Sequence, residues 1–183
     1  MDKILTKTEL FKKLQDIEWE DFEVKEAKSE LPRNIWETVS AFSNTAGGWI
    51  VLGVKEKGKK YEITGINNPK KVENDFISTI RSCKFNRHLK VKVKKFKING
   101  KTILICHIPV VSIKHRPVYF NSEINTFIRT GSGDQRATAE EIAAIRRDSS
   151  FGEKDSEKTE FILRDLDKET IERYRIYLKI YRP

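Results

Sequence analysis

Long apolar runs are missing from this 183-residue chain. The longest, such as Trp49 to Leu52 and Ile103 to Cys106, fall far short of the roughly 20 residues that cross a bilayer as a helix. The N-terminus, MDKILTKTELFKK, lacks the apolar centre of a secretory leader. Cysteine is scarce. Cys83 and Cys106 are the only two and have no CxxC spacing, which argues against a structural zinc site and for a reducing compartment, hence a cytoplasmic protein. Cys106, inside TILICHIPV, reads as a small core residue. Strand alternation points it away from His107, so the two cannot share a metal. No phosphate loop is visible, because Gly131-Ser132-Gly133 is too short and too far from the next helix. His88, His107 and His115 have no catalytic spacing.

The most informative absence is that of acid. No Asp or Glu occurs from Arg81 to Lys101, where nine of 21 residues are Lys or Arg. The whole chain carries 36 basic and 27 acidic residues, a net charge of +9, and outside that stretch the balance is 27 to 27. The positive charge is therefore local. A local excess implies a surface for an anionic partner rather than a general device for solubility.

Periodicity predicts a mixed α/β order. A first helix is expected over about Lys7 to Gln15, with Thr6 and Glu9 as a capping box, followed by a short strand in DFEVKEA. After Pro32, Ile35, Val39, Phe42 and Ala46 form one helical stripe, closed by Gly47-Gly48 as a left-handed cap. WIVLGVKE reads as a central strand buried on both faces, with YEITGIN as its hairpin partner. Pro69 to about Ser82 fits a helix with Val72, Phe76 and Ile80 inward. Asn99-Gly100 predicts a hairpin between the basic segment and KTILICHIPV. RPVYF and TFIRTG would complete a sheet, and Thr138 with Glu141 would cap a helix running to about Asp148. SSFGEKDSEKTE then reads as a linker, and Ile171, Tyr174, Leu178 and Tyr181 as one side of a last helix. The expected fold class is α+β, a mixed and mainly antiparallel sheet with helices packed on it. The expected division is a domain over 1–148, then a linker and helix over 149–183 leading to a further downstream region.

In LKVKVKKFKI the alternation slips at Lys94-Lys95. A β-bulge there would put Lys90, Lys92, Lys94, Lys95 and Lys97 on one face. Two readings follow: an edge strand guarded by lysines, or a polyanion-binding face. An edge needs fewer lysines than five, and Arg81, Lys84, Arg87 and Lys101 lie close by in sequence. The phosphate backbone of DNA or RNA is the obvious polyanion. A membrane surface fits less well, since no amphipathic helix with a bulky apolar face accompanies the charge. Arg129, projecting from a strand, could bind phosphate or pair with a carboxylate. Asn44 is expected to bond backbone near its helix end.

A second candidate site is the acid-rich IEWEDFEVKEAK. Glu18, then Glu23-Val24-Lys25, then Ala41-Phe42-Ser43-Asn44-Thr45-Ala46-Gly47-Gly48, Gly53-Val54-Lys55-Glu56-Lys57-Gly58, Pro117-Val118 and Arg129-Thr130-Gly131-Ser132 follow in order. Over about residues 10 to 148 this pattern resembles the AlbA-like domain of the Schlafen family, found also at the N-terminus of bacterial transcriptional regulators that carry an ATP-binding region. The resemblance implies an α/β fold and nucleic-acid binding. Any ATP binding would belong to a region outside this chain. In eukaryotic Schlafens three acids form an endoribonuclease site, and the matching positions here are Glu18, Glu23 and Glu56. Three carboxylates can hold Mg²⁺ or Mn²⁺ to activate water, so such an ion is implied only if that activity is present. Two departures stand out: Glu replaces Asp at 56, and Val24 replaces an aromatic. The expected function is a nucleic-acid-binding, DNA-binding module of a transcriptional regulator. The alternatives are a metal-dependent endoribonuclease and an interaction module that dimerises through the basic edge.

Overall fold

The computed structural model describes residues 9–10, 21–58, 60–131, 133–154 and 167–181, with backbone alone for 151–154 and 178–181. Four strands make the main sheet: β1 (Phe22–Lys25), β2 (Gly48–Leu52), β5 (Lys92–Ile98) and β6 (Lys101–Ile108), in the order β1-β2-β6-β5. β1 runs parallel to β2, and the other pairs are antiparallel. β2 is thus central, as its continuous apolar sequence requires. Two small hairpins flank the sheet: β3 (Val54–Lys57) with β4 (Lys60–Ile63), and β7 (Phe127–Thr130) with β8 (Gly133–Arg136). The helices with described bounds are α1 (Ile35–Asn44), α2 (Pro69–Arg81), α3 (Ala139–Lys154) and α4 (Lys168–Tyr181). The α+β expectation holds. No helix among the described residues is long and apolar enough to cross a membrane.

The sheet is buried on both sides. On one face Ile50, Leu52, Leu104 and Cys106 pack against Ile35, Val39 and Phe42 of α1 and Val72, Phe76 and Ile80 of α2. Burial pushes the Cys106 thiol far above its ordinary range, so it stays a neutral core group. On the other face Phe22, Val51, Ile103 and Ile105 pack with Leu10 and the β3–β4 hairpin.

Local signals set the element ends. Asn68 caps α2 by accepting from the Lys71 amide at 3.0 Å, and Pro69 opens the helix. Thr138 and Glu141 exchange the two bonds of a capping box. Asn99 and Gly100 both take positive φ in the β5–β6 turn. Gly47 also has positive φ, and a Cβ there would sit 2.9 Å from Ile108 O and Val110 N. Gly48 is needed for space, since a Cβ would meet the Phe42 ring at 2.8 Å.

Several expectations are corrected. WIVLGVKE is two strands, because Gly53 at φ +89° turns the chain between β2 and β3. The stripe on α1 stops before Ala46, which is exposed beyond the helix end. RPVYF forms only the single bridges Tyr119–Thr126 and Phe85–Phe120, because side chains of α1 take the backbone groups of Val118. α3 continues past Asp148 to Lys154. In that added stretch Ser150 bonds the Arg147 carbonyl one turn back, and Ser149 bonds the Lys114 carbonyl, which ties the helix to the 113–115 turn. Thr6, most of the expected first helix and residues 155–166 of the expected linker lie outside the described residues.

Candidate nucleic-acid interface

β5 is an edge strand, paired one-to-one with β6 from Lys92–His107 to Ile98–Lys101. No bulge interrupts that register. The phase slip at Lys94-Lys95 therefore divides the lysines between the two faces, because side chains alternate strictly along an unbulged strand. Lys92 and Lys94 share a face with Phe96 and Ile98, whereas Lys95 and Lys97 share the other with Val93. The expected five-lysine face does not form, and the basic residues instead wrap the sheet edge.

Local surroundings separate these cations. Arg81, Arg87, Lys90 and Lys97 are exposed and have no acidic partner among the described residues. Lys94, also exposed, lies 5.1 Å from the centre of the Phe96 ring. Lys92 is exposed at the start of the strand. Lys95 pairs with Glu73 of α2. Lys101 donates to the Ile63 carbonyl at 2.8 Å. Lys84 sits between two aromatic rings, 5.6 Å from Trp36 and 5.8 Å from Phe120. The nine cations of the acid-free stretch are thus not equivalent.

Arg129 occupies the interior. Its side chain is 4% exposed, with Nη1 2.7 Å from Asp134 and 3.1 Å from Glu23. Nη2 donates to the Phe22 carbonyl, and the guanidinium lies over the Phe42 ring at 4.9 Å. Asp134 also accepts from Thr38 Oγ1 at 2.5 Å. Of the two roles open to Arg129, the geometry is that of carboxylate pairing. It ties β7–β8 to β1 and α1.

Glu23 and Glu56 both act on Tyr61. The phenol's pKa is raised, first by burial and then by the charges of Glu56 and Glu23. Glu56 lies opposite Tyr61 in the β3–β4 ladder. Glu18 lies outside the described residues. The two described acids do not by themselves suit a divalent ion. Glu23 gives Oε2 to Arg129 and Oε1 to Lys25, the latter at 3.2 Å. No group of three potential ligands that could hold a metal occurs among the described residues.

The AFSNTAGG block has a mechanical role that local sequence does not reveal. Asn44 Nδ2 donates to the carbonyls of Val118 and Phe127 at 2.8 and 2.9 Å, and its Oδ1 accepts from the Val118 amide at 2.8 Å. Ser40 adds bonds to Val118 O and Phe127 N. Asn44 therefore binds backbone, but 74 residues away rather than at its own helix end. No sequence signal identified Ser40, Thr38 or Asp134, since their partners are distant along the chain.

A family model described as Schlafen, AlbA_2 matches residues 18–138. Among solved structures, the chain is similar to the N-terminal domain of a protein from Nitrosomonas europaea named as related to the ATP-dependent DNA helicase RecG. The two are 26% identical with a TM-score of 0.55, over 74% of this chain and 95% of that domain. It is also similar in fold to the DIP2311 protein from Corynebacterium diphtheriae, at 16% identity and a TM-score of 0.50. That match covers 70% of this chain and spans 24% of the other protein's length.

Proposed function

The chain belongs to the Schlafen AlbA_2 family, and on that premise we propose that it is a nucleic-acid-binding module, of the DNA-binding kind that serves a transcriptional regulator. One observation carries the reading. Arg81, Arg87, Lys90 and Lys97 are exposed without acidic partners among the described residues, within a stretch that contains no acid. Such an array attracts a phosphate backbone and releases its counterions. The relative named for a DNA helicase supports a nucleic-acid context.

The interface is the edge formed by the α2 end, the loop to Lys90 and β5. We further propose that α4 makes contact with a downstream region or a second copy. Tyr174, Ile176 and Tyr177 on it are each more than half exposed.

The test is titration of labelled duplex DNA, single-stranded DNA and RNA, each with and without Mg²⁺ or Mn²⁺. Binding should fall with salt with a log–log slope of roughly −3 to −5, as expected for four or five neutralised phosphates. Failure to bind any of the three at low salt sinks the proposal. Metal-dependent cleavage that disappears in Glu23→Gln would replace it with the endoribonuclease reading.

A further inference from the structure

The edge is not uniformly flat. Between α2 and the segment entering β5 lies a cleft of about 580 Å³, lined by Ile77, Arg81, His88, Leu89, Lys90 and Val91. Its floor is aliphatic. Leu89 is buried, and Ile77 and Val91 are half-buried against the core cluster. Its rim is cationic or aromatic: Arg81, His88 and Lys90 are all exposed. A second hollow of about 470 Å³ shares Ile77 and Arg81 and continues past Ser78 and Ser82. Arg81 thus stands between two adjoining depressions.

Two kinds of anion could approach this rim. A bare phosphate would satisfy Arg81 and Lys90 but leave the apolar floor wet. An intact duplex would reach the rim with its phosphates, but its bases are stacked and paired inside and cannot enter. A ligand that uses both parts has a flat, weakly polar body attached to a phosphate. That is an unstacked nucleotide. Guanidinium and imidazole groups both offer planes against which a splayed base can lie. The volume falls within the range of ordinary small-ligand pockets.

The strand beyond the cleft continues the match. Lys90 stands at the rim, and Lys92 and Lys94, on the face away from α2, carry positive charge on along the sheet edge. Alternate residues of an extended strand are roughly 6.6 Å apart. A nucleotide repeat has twice as many backbone bonds as a peptide unit, so an extended nucleotide spans about the same distance as two extended residues. Successive phosphates of an extended single strand can therefore follow successive lysines. Paired-strand geometry is not required.

From these features we infer that the cleft seats an unstacked base and that the protein's ligand is single-stranded nucleic acid. The inference rests on the nucleic-acid-binding reading and specifies the form of polymer and the place of one base. Arg81 and Lys90 hold the phosphates on either side of it, and Ile77 supports the base.

The test uses the full chain and a labelled ~12-nucleotide oligothymidylate against a duplex of equal length, both at one salt concentration. The single strand should bind at least about tenfold more tightly, a difference that base stacking of 1–3 kcal/mol can supply. Ile77→Ala removes the apolar support without changing charge, adding a stacking surface or breaking the helix. It should bring single-strand binding down toward the duplex value and leave duplex binding unaltered. Equal affinity for the two forms, or an unchanged single-strand affinity in a folded Ile77→Ala protein, overturns the inference and leaves the broader reading standing. Loss of binding to both polymers by the unaltered protein overturns both.

A second measurement does not depend on that variant folding. The oligothymidylate is substituted with 5-iodouracil and photocrosslinked to the unaltered protein. Attachment within residues 77–91, at His88 above all, is expected. Attachment confined to residues 92–98 would show that the strand tracks β5 without entering the cleft, and the base seat would fall.

Discussion

Arg129 reaches across 106 positions of sequence to place Nη1 3.1 Å from the Glu23 carboxylate. The same nitrogen lies 2.7 Å from Asp134. This pairing joins the second hairpin to the first strand of the sheet. Because the arginine side chain is almost wholly enclosed, its removal would leave Asp134 without its cation in a poorly solvated place and Glu23 with Lys25 alone. Arg129→Leu should therefore lower unfolding free energy by about 3 kcal/mol or more, read from urea denaturation. Arg129→Lys should recover only part of that, because an ammonium lacks the second arm, Nη2, that bonds the Phe22 carbonyl and the flat face that lies over the Phe42 ring. Equal stability of Arg129→Leu and the parent would show that the clasp contributes nothing net.

Asn44 offers a second point of leverage. Its amide satisfies the Val118 amide and two distant carbonyls, all in the interior. Asn44→Leu should cost about 2–4 kcal/mol, since buried polar groups left without partners cost about 1–3 kcal/mol each and Ser40 still serves one carbonyl. Hydrogen exchange provides the local check. The Val118 amide should lose its protection in the variant while amides of β2 and β6 retain theirs.

The unbulged register of β5 makes neighbouring lysines unequal. Lys95 is held by Glu73, so its charge is partly neutralised before any ligand arrives. Glu73→Gln should release it, raise nucleic-acid affinity a few-fold and steepen the log–log salt slope by up to about one unit. Lys97→Gln should flatten that slope by a similar amount with stability unchanged. If Lys95→Gln weakens binding more than Lys97→Gln does, the Glu73 pair does not persist in solution.

Tyr61 gives a pH-dependent prediction. Burial and the charges of Glu56 and Glu23 hold its phenol's pKa above the ordinary value of about 10. The folded protein thus prefers the protonated form. The associated stability is complete below the unfolded pKa and is lost as pH rises through the folded value. Tyr61→Phe should lose less stability than the parent between about pH 9 and pH 11. Glu56→Gln and Glu23→Gln should each lower the phenol's pKa, measured by NMR titration of the Tyr61 ring carbon bearing the hydroxyl. An unmoved value in Glu23→Gln would place that carboxylate too far away to act with Glu56.

Gly48 tests packing without backbone strain. A methyl there would meet the Phe42 ring at 2.8 Å and the Asp21 carbonyl at 2.9 Å. Gly48→Ala should destabilise the protein by about 1–3 kcal/mol through overpacking. The double variant Gly48→Ala, Phe42→Leu should regain part of the loss if the ring is the obstacle. Additive losses would locate the obstacle in the backbone instead.

What the sequence made legible follows the range of each interaction. Asn68 and Pro69, the Thr138–Glu141 box and the Asn99-Gly100 turn act over a few residues, so their chemistry is visible locally. The acid-free stretch is legible for the same reason. The fate of its slipped alternation is not, because whether Lys94-Lys95 bulges depends on pairing with β6, and β6 presents one residue to each residue of β5. Lys84 and Lys95 look like their neighbours in sequence and differ only through Trp36, Phe120 and Glu73. The Glu23–Arg129 pairing and the partners of Asn44 span more than 70 positions, beyond any local pattern.

The bonds of Ser40 and Asn44 have a wider consequence. The block AFSNTAGG is the most recognisable part of this chain, yet its Asn44, with Ser40 just before the block, faces inward and fastens two distant segments. It works as a joint. A signature of this sort transmits how a polypeptide is assembled and is silent on cargo, which in the proposed reading is decided at the rim. Two chains that share the joint can therefore handle different molecules, and comparing them usefully means comparing the residues between Arg81 and Lys101.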